Sequence, residues 1–178
     1  MKGMVFTELL QMAEQAIGED AVDEILDSME SETGGSYTSV GSYPCRELLQ
    51  IVNGISDRSG LPCDELQRQF GSWMHNRFVE SYPEFFADKK TALDMLEAIE
   101  SEVHVEVRKL YPEAELPYFR TSRTDGRCLR MTYKSERPLV AFCHGLVEAC
   151  VQHFGDGASI HLEQVSTQEA VFDIRLER

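Results

Sequence analysis

Between Pro112 and Pro117 the hydrophobic period of this chain changes, and that change restricts it to folds that join a helical part to a sheet. Upstream, apolar residues recur every three or four positions. Val5, Leu9, Met12, Ala13 and Ala16 form a first stripe, stopped by Gly18. Val22 to Met29 reads as a second short helix, and Leu48, Leu49, Val52 and Ile55 mark a third that closes near Gly60. Leu61-Pro62-Cys63-Asp64 opens a fourth, carrying Leu66, Phe70, Trp73, Met74 and Phe78. Leu93, Leu96, Ile99, Val103 and Leu110 predict one continuous helix from about Thr91 to Leu110. Glu97, Glu100, Glu102 and Glu106 fall off its core stripe and read as a solvated face. The stretch Ser31 to Ser42, with Gly34-Gly35 and its serines, reads as a loop that forms no packed element.

Downstream the period is two. Pro117 to Arg123 and Cys128 to Tyr133 are joined by Thr124-Asp125-Gly126-Arg127, a strong turn signal. Leu139 to Phe154 returns to a helical pattern, and Ser159 to Val165 with Ala170 to Leu176 alternates as a closing hairpin. The expected class is α+β: a helical N-terminal lobe, about residues 1–60, and a second lobe, about 61–178, in which helices pack on an antiparallel sheet. The 178 residues, 42% hydrophobic, suit one domain large enough to enclose a core and a cofactor. No internal repeat, low-complexity tract or flexible linker interrupts them.

Charge and termini narrow the partners. With 17 Lys plus Arg against 31 Asp plus Glu, the formal charge is −14, which repels nucleic acid and anionic lipid and suits a basic protein surface. No run approaches the roughly 18 apolar residues of a membrane span. Met1 to Glu8 meets an acid too early for a secretory signal, and glycine at position 3 does not fit myristoylation. Five cysteines, odd in number and without a C-x-x-C pair, fit a reducing cytoplasm better than a disulfide scaffold. Cys150-x-x-His153 offers metal-ligand types on one helix, although buried thiols on a core helix are the simpler reading. Nothing pairs a thiol, a base and an orienting group, so catalysis by cysteine has no support.

The chemistry concentrates in Tyr133-Lys134-Ser135-Glu136-Arg137 and in His104. Two hydroxyls and a planar guanidinium within five residues make a donor set for a pair of carboxylates. If the chain stays extended through Arg137, as Pro138 favours, the three side chains project to one face. On local grounds the triplet also fits ordinary surface chemistry. His104 lies at the border of the apolar stripe, where a lone histidine is more often a hydrogen-bonded structural residue than a ligand.

Tyr-x-Ser-x-Arg with an upstream histidine resembles the signature of the haem–nitric oxide/oxygen-binding (H-NOX) family, and the resemblance runs from end to end. The opening Met1-Lys2-Gly3 followed by Val5 and Phe6, then Gly71, Pro117 and Gly145, falls where that pattern expects it. The resemblance implies ferrous haem b between the two lobes. His104 would be the axial ligand, and Tyr133, Ser135 and Arg137 would hold the propionates. Pro117 would pack against and distort the porphyrin. Val5, Leu9, Met74, Phe78, Phe142 and Leu146 would line the apolar distal and packing surfaces.

Oxygen-binding members of that family place a tyrosine in the late helix, supported by tryptophan and asparagine. The matching positions here, Phe142, Leu9 and Met74, carry no strong donor, and Trp73 is turned about a quarter turn from Met74. The implied function is a cytoplasmic haem-based sensor of nitric oxide that rejects oxygen, and not an enzyme. Binding of the gas would weaken the bond to His104, free its helix and shift the lobes. The signal would pass to a separate sensor histidine kinase or cyclic-di-GMP enzyme. The alternatives are an oxygen-binding haem protein and a haem-free interaction module on the same fold.

Overall fold

The computed structural model of this chain describes residues 1–31 and 33–177. Helix α1 (Gly3–Ile17) carries its apolar stripe to Gly18, whose φ of +87° ends it. Helix α2 (Glu19–Ser28) opens with Glu19 and Asp20, anions that suit the positive end of the helix dipole. Helix α3 (Cys45–Ser59) stops at Gly60 in the left-handed conformation. Helix α4 (Cys63–Ser81) starts behind Pro62 with Asp64 and Glu65 in its first turn. Phe6, Leu9, Ile25, Ile51, Phe70 and Met74 belong to one buried cluster that these four helices share.

The stretch expected to be an unpacked loop is instead pinned to this cluster. Glu47 of α3 is 0% exposed and accepts hydrogen bonds from Ser31 Oγ (2.9 Å) and Tyr37 Oη (2.7 Å). Tyr37 stacks on Phe6 at 4.6 Å, and Tyr43 packs edge-on against both rings. Each such hydrogen bond contributes about 0.5–1.5 kcal/mol, which the glycines and serines of the loop do not announce. Glu32, inside the same expected loop, lies outside the described residues.

The expected single helix from Thr91 to Leu110 is three pieces. A capping box between Thr91 and Asp94 starts α5 (Ala92–Ala98), and a π-helical turn (Ile99–Val103) leads into α6 (His104–Leu110). A π turn holds more residues per turn than an α turn, so it rotates everything after it. Leu110, assigned to the core stripe by uniform spacing, is 71% exposed, whereas His104 is 8% exposed.

Strands β1 (Tyr118–Asp125), β2 (Cys128–Lys134), β3 (Ala158–Gln164) and β4 (Glu169–Leu176) form, among the described residues, one antiparallel sheet in the order β1-β2-β4-β3. The fold class is α+β. Phe119, Met131, Tyr133 and Phe172 turn inward onto α5 and α7 (Val140–Phe154), forming a second buried cluster. Helix α7 serves both clusters: Cys143, Val147 and Val151 face the sheet, while Phe142 and Leu146 face the helical side. It meets α4 backbone to backbone. A Cβ on Gly145 would lie 1.9 Å from the Arg68 carbonyl oxygen, and one on Gly71 2.2 Å from that of Phe142. No helix among the described residues is long and apolar enough to cross a membrane.

Candidate functional site

His104 opens α6 directly behind the π turn and is buried. Its Nδ1 lies 3.0 Å from Glu100 Oε2. A carboxylate only accepts, so Nδ1 carries the proton and Nε2 keeps a free lone pair. Burial pushes this imidazole below its ordinary pKa, with the Glu100 carboxylate pulling the other way, so the neutral, ligating form prevails at neutral pH. Glu100 is itself fixed by Arg108 Nη2, which donates to Oε1 (2.7 Å), and by the Phe119 N–H, which donates to Oε2 (3.3 Å). Partial burial pushes the Glu100 carboxyl up, but the bonds from Arg108, His104 and Phe119 outweigh it and leave the carboxyl below the usual range. Grouping Glu100 with a solvated face was therefore wrong. The signal that would have found it is its position four residues before the histidine, one helical turn away.

From His104 a line of rings runs across the sheet: Phe119 at 5.7 Å, then Tyr133 at 5.6 Å from Phe119. Burial pushes the Tyr133 phenol up to about 12, while the Ser135 hydroxyl and the Arg137 charge pull it down. These three residues do come together, but not by strand alternation. Strand β2 ends at Lys134, and Arg137 N–H folds back onto Ser135 Oγ (3.0 Å) in a turn. The Arg137 guanidinium donates to the Glu115 carbonyl oxygen (2.7 Å) and to Glu115 Oε2 (2.8 Å). Pro117 follows two residues later, half-buried at the entry to β1. Burial, then the charge of Arg137, lowers the pKa of the Met1 amine, which places the N-terminus near that guanidinium.

The apolar candidates sit on the other side of α7. Leu9 and Met74 are fully buried, and Val5, Phe78, Phe142 and Leu146 are half-buried, all within the helical cluster. Phe142 packs on Phe70 at 5.2 Å. The Trp73 indole N–H donates to Glu8 Oε2 at 2.8 Å, where Arg77 Nε also donates, so that N–H is already committed. The Tyr133–Arg137 segment lies at the seam of the two clusters: Tyr133 is in the sheet cluster and Leu139 in the helical one.

The sequence profile described as haem-NO-binding matches residues 2–162. The chain belongs to the haem-NO-binding (H-NOX) family. The Fe(II) unliganded H-NOX protein from K. algicida is 37% identical, with a TM-score of 0.94 over 100% of this chain and 97% of that one. The IWP-051-bound H-NOX from Shewanella woodyi, in its Fe(II)CO ligation state, is 40% identical, with a TM-score of 0.84 over 99% and 94%. An H-NOX protein from S. oneidensis in the Fe(II)NO state shares the fold (TM-score 0.88 over both full chains) at 24% identity. No curated protein matches the chain. H-NOX domains bind haem and gaseous ligands and serve as sensors. The residues of this H-NOX chain fit such a cofactor chemically: a neutral buried imidazole with one free nitrogen suits iron, and the phenol, hydroxyl and guanidinium at the seam suit carboxylates.

Glu100 gives a first test of the site. Glu100→Gln keeps the shape of the side chain but removes the charge that orients His104. Loss of an outer-shell partner of this kind costs about 10–100-fold in metal affinity or activity. The expected result is faster haem loss to an acceptor protein than from the wild type, with His104 still required for binding. Equal rates would remove Glu100 from the site.

Proposed function

We propose that this H-NOX domain is a nitric oxide sensor and not an enzyme, with ferrous haem b held by His104 and by Tyr133, Ser135 and Arg137. The observation that carries the reading is the His104–Glu100 pair, which leaves a buried, neutral imidazole with a single nitrogen to offer. Arg137 already holds a carboxylate, that of Glu115. The Glu115 side chain is 77% exposed, so exchanging it for a propionate costs little desolvation. Pro117, Val5, Leu9, Met74, Phe78, Phe142 and Leu146 complete the enclosure. The domain spans 1–178, with lobes of about 1–60 and 61–178 and with α4 at their seam.

Held by His104, haem would supply the iron at which a diatomic gas binds. Oxygen held there would need a hydrogen-bond donor beside it, worth about 1.5–3 kcal/mol, whereas nitric oxide would depend far less on one. Leu9, Met74 and Phe142 offer no N–H or O–H, and Trp73 spends its N–H on Glu8. Selectivity for nitric oxide follows from that lack.

Transmission follows from what is tied to α6. Were a haem held by His104 to let go of it, the two-turn helix α6, preceded by a π turn of the kind frequent at functional sites, would be freed. The segment after α6 is fastened to the N-terminus: Lys2 Nζ pairs with Glu113 Oε1 (2.9 Å) and sits 4.0 Å over the Tyr111 ring. Arg137 holds Glu115 in the same segment. Movement of α6 is thereby felt at the start of α1, and the lobes turn against one another. The partner that reads this is a separate sensor histidine kinase or cyclic-di-GMP enzyme with a basic docking face, matched to a chain of charge −14. Five free cysteines suit a reducing cytoplasm.

The reduced, haem-loaded protein exposed to air and separately to nitric oxide tests the reading. Nitric oxide is expected to shift the haem absorption while air leaves no stable oxygen complex. A long-lived oxygen spectrum would favour an oxygen carrier instead.

A further inference from the structure

The seam between α4 and α7 contains an imidazole with no hydrogen-bond partner. His75 of α4 is 5% exposed, and neither Nδ1 nor Nε2 meets a donor or acceptor. Leaving a buried polar side chain so is costly, and such groups call for a specific explanation. Facing it is His153, exposed near the end of α7, with ring centroids 5.6 Å apart and planes inclined at 59°. Phe86 lies edge-on to both rings at 5.5 Å. Phe154 packs against His153 at 4.9 Å, so aromatic carbon flanks the pair while His153 stays open to solvent. Cys150, one turn earlier on α7, does not join them: its Sγ lies against the Ala92 carbonyl, and burial pushes the thiol up to about 12.

We propose that His75 and His153 form a two-imidazole site for a divalent transition cation, bridging α4 and α7. The class is the one that favours imidazole nitrogen, with nickel, copper and zinc as members. Metal–nitrogen bonds of about 2.0–2.1 Å place two imidazole centroids on one ion roughly 5–6 Å apart. The observed separation is 5.6 Å. Among the described residues no group of three or more His, Cys, Asp or Glu side chains gathers about one point, so water completes the coordination. One of the two partnerless nitrogens of His75 then has an occupant, and the other keeps its proton. Because His75 lies on α4 and His153 on α7, the ion fixes the register of these two helices, which carry Met74 and Phe142. This site does not depend on the haem reading.

The test uses the haem-loaded full chain titrated with Ni²⁺, which the cysteines attract less than they attract softer ions. Calorimetry follows binding and thermal unfolding follows its effect on stability. The wild type is expected to bind one Ni²⁺ and to melt at a higher temperature with it. His75→Gln and His153→Gln are each expected to weaken binding at least tenfold and to abolish the rise in melting temperature. His153 is exposed, so its variant folds even where that of the buried His75 does not. Absence of Ni²⁺ binding by the wild type, or equal binding by His153→Gln, overturns the proposal.

Discussion

His104→Gly is expected to leave the purified protein without haem, and added imidazole is expected to restore it. The glycine removes the buried nitrogen that Glu100 orients, and it leaves a space lined by Phe119 and closed by the Glu100–Arg108 pair. Free imidazole fits that space and meets the same carboxylate. Since an outer-shell partner alone is worth about 10–100-fold, removal of the ligand itself should lower haem retention by more than about 100-fold. The measurement is the ratio of haem to polypeptide after gel filtration, with and without imidazole. Circular dichroism keeps the outcome readable, because an unfolded variant would lose its helical signal whatever His104 does. Equal haem content in the variant and the wild type would mean that another side chain holds the iron.

Gly145→Ala is expected to have the largest effect on stability of any single added methyl group on α7. The new Cβ would sit 1.9 Å from the carbonyl oxygen of Arg68, a backbone atom that cannot rotate aside. The helices must part, and the Arg68–Glu148 pair, bonded twice at 2.6 Å beside the contact, must stretch with them. Overpacking of this kind costs about 1–3 kcal/mol and occasionally more, against which alanine returns about 1 kcal/mol of helix propensity. For a chain of this size each kcal/mol moves the melting temperature by roughly 2–4 °C. A fall of several degrees is expected. Gly126→Ala, at a turn where a Cβ meets nothing within 4 Å, serves as the control and should melt close to the wild type. Similar melting of Gly145→Ala and the wild type would show that α4 and α7 part without cost.

Much of this architecture was legible because it is written in period and punctuation. Gly18, Gly60, Pro62 and Asp125-Gly126 end or begin elements where the sequence places them, since each acts on its own backbone. Interactions between distant residues were not legible. The π turn at Ile99–Val103 leaves no local mark, so Leu110 was assigned to a core it does not join. The loop before α3 looked unpackable because its anchor, Glu47, lies beyond it in sequence. In the site, Tyr133, Ser135 and Arg137 do gather, yet a turn gathers them where strand alternation was expected. Glu100 was missed because a glutamate on an acidic helix looks solvated until its histidine is known to be buried. The order β1-β2-β4-β3 was equally out of reach, for alternation tells which face a strand buries and not which neighbour it takes.

The proposed sensor requires that one nitrogen of His104 bonds the iron. The most direct measurement is the iron–nitrogen stretching band in the resonance Raman spectrum of the ferrous, gas-free protein, recorded with natural and ¹⁵N-labelled histidine. The expected band moves to lower frequency on labelling and is replaced by that of free imidazole in His104→Gly. A band that ignores the label, or one that survives unchanged in His104→Gly without added imidazole, would contradict it.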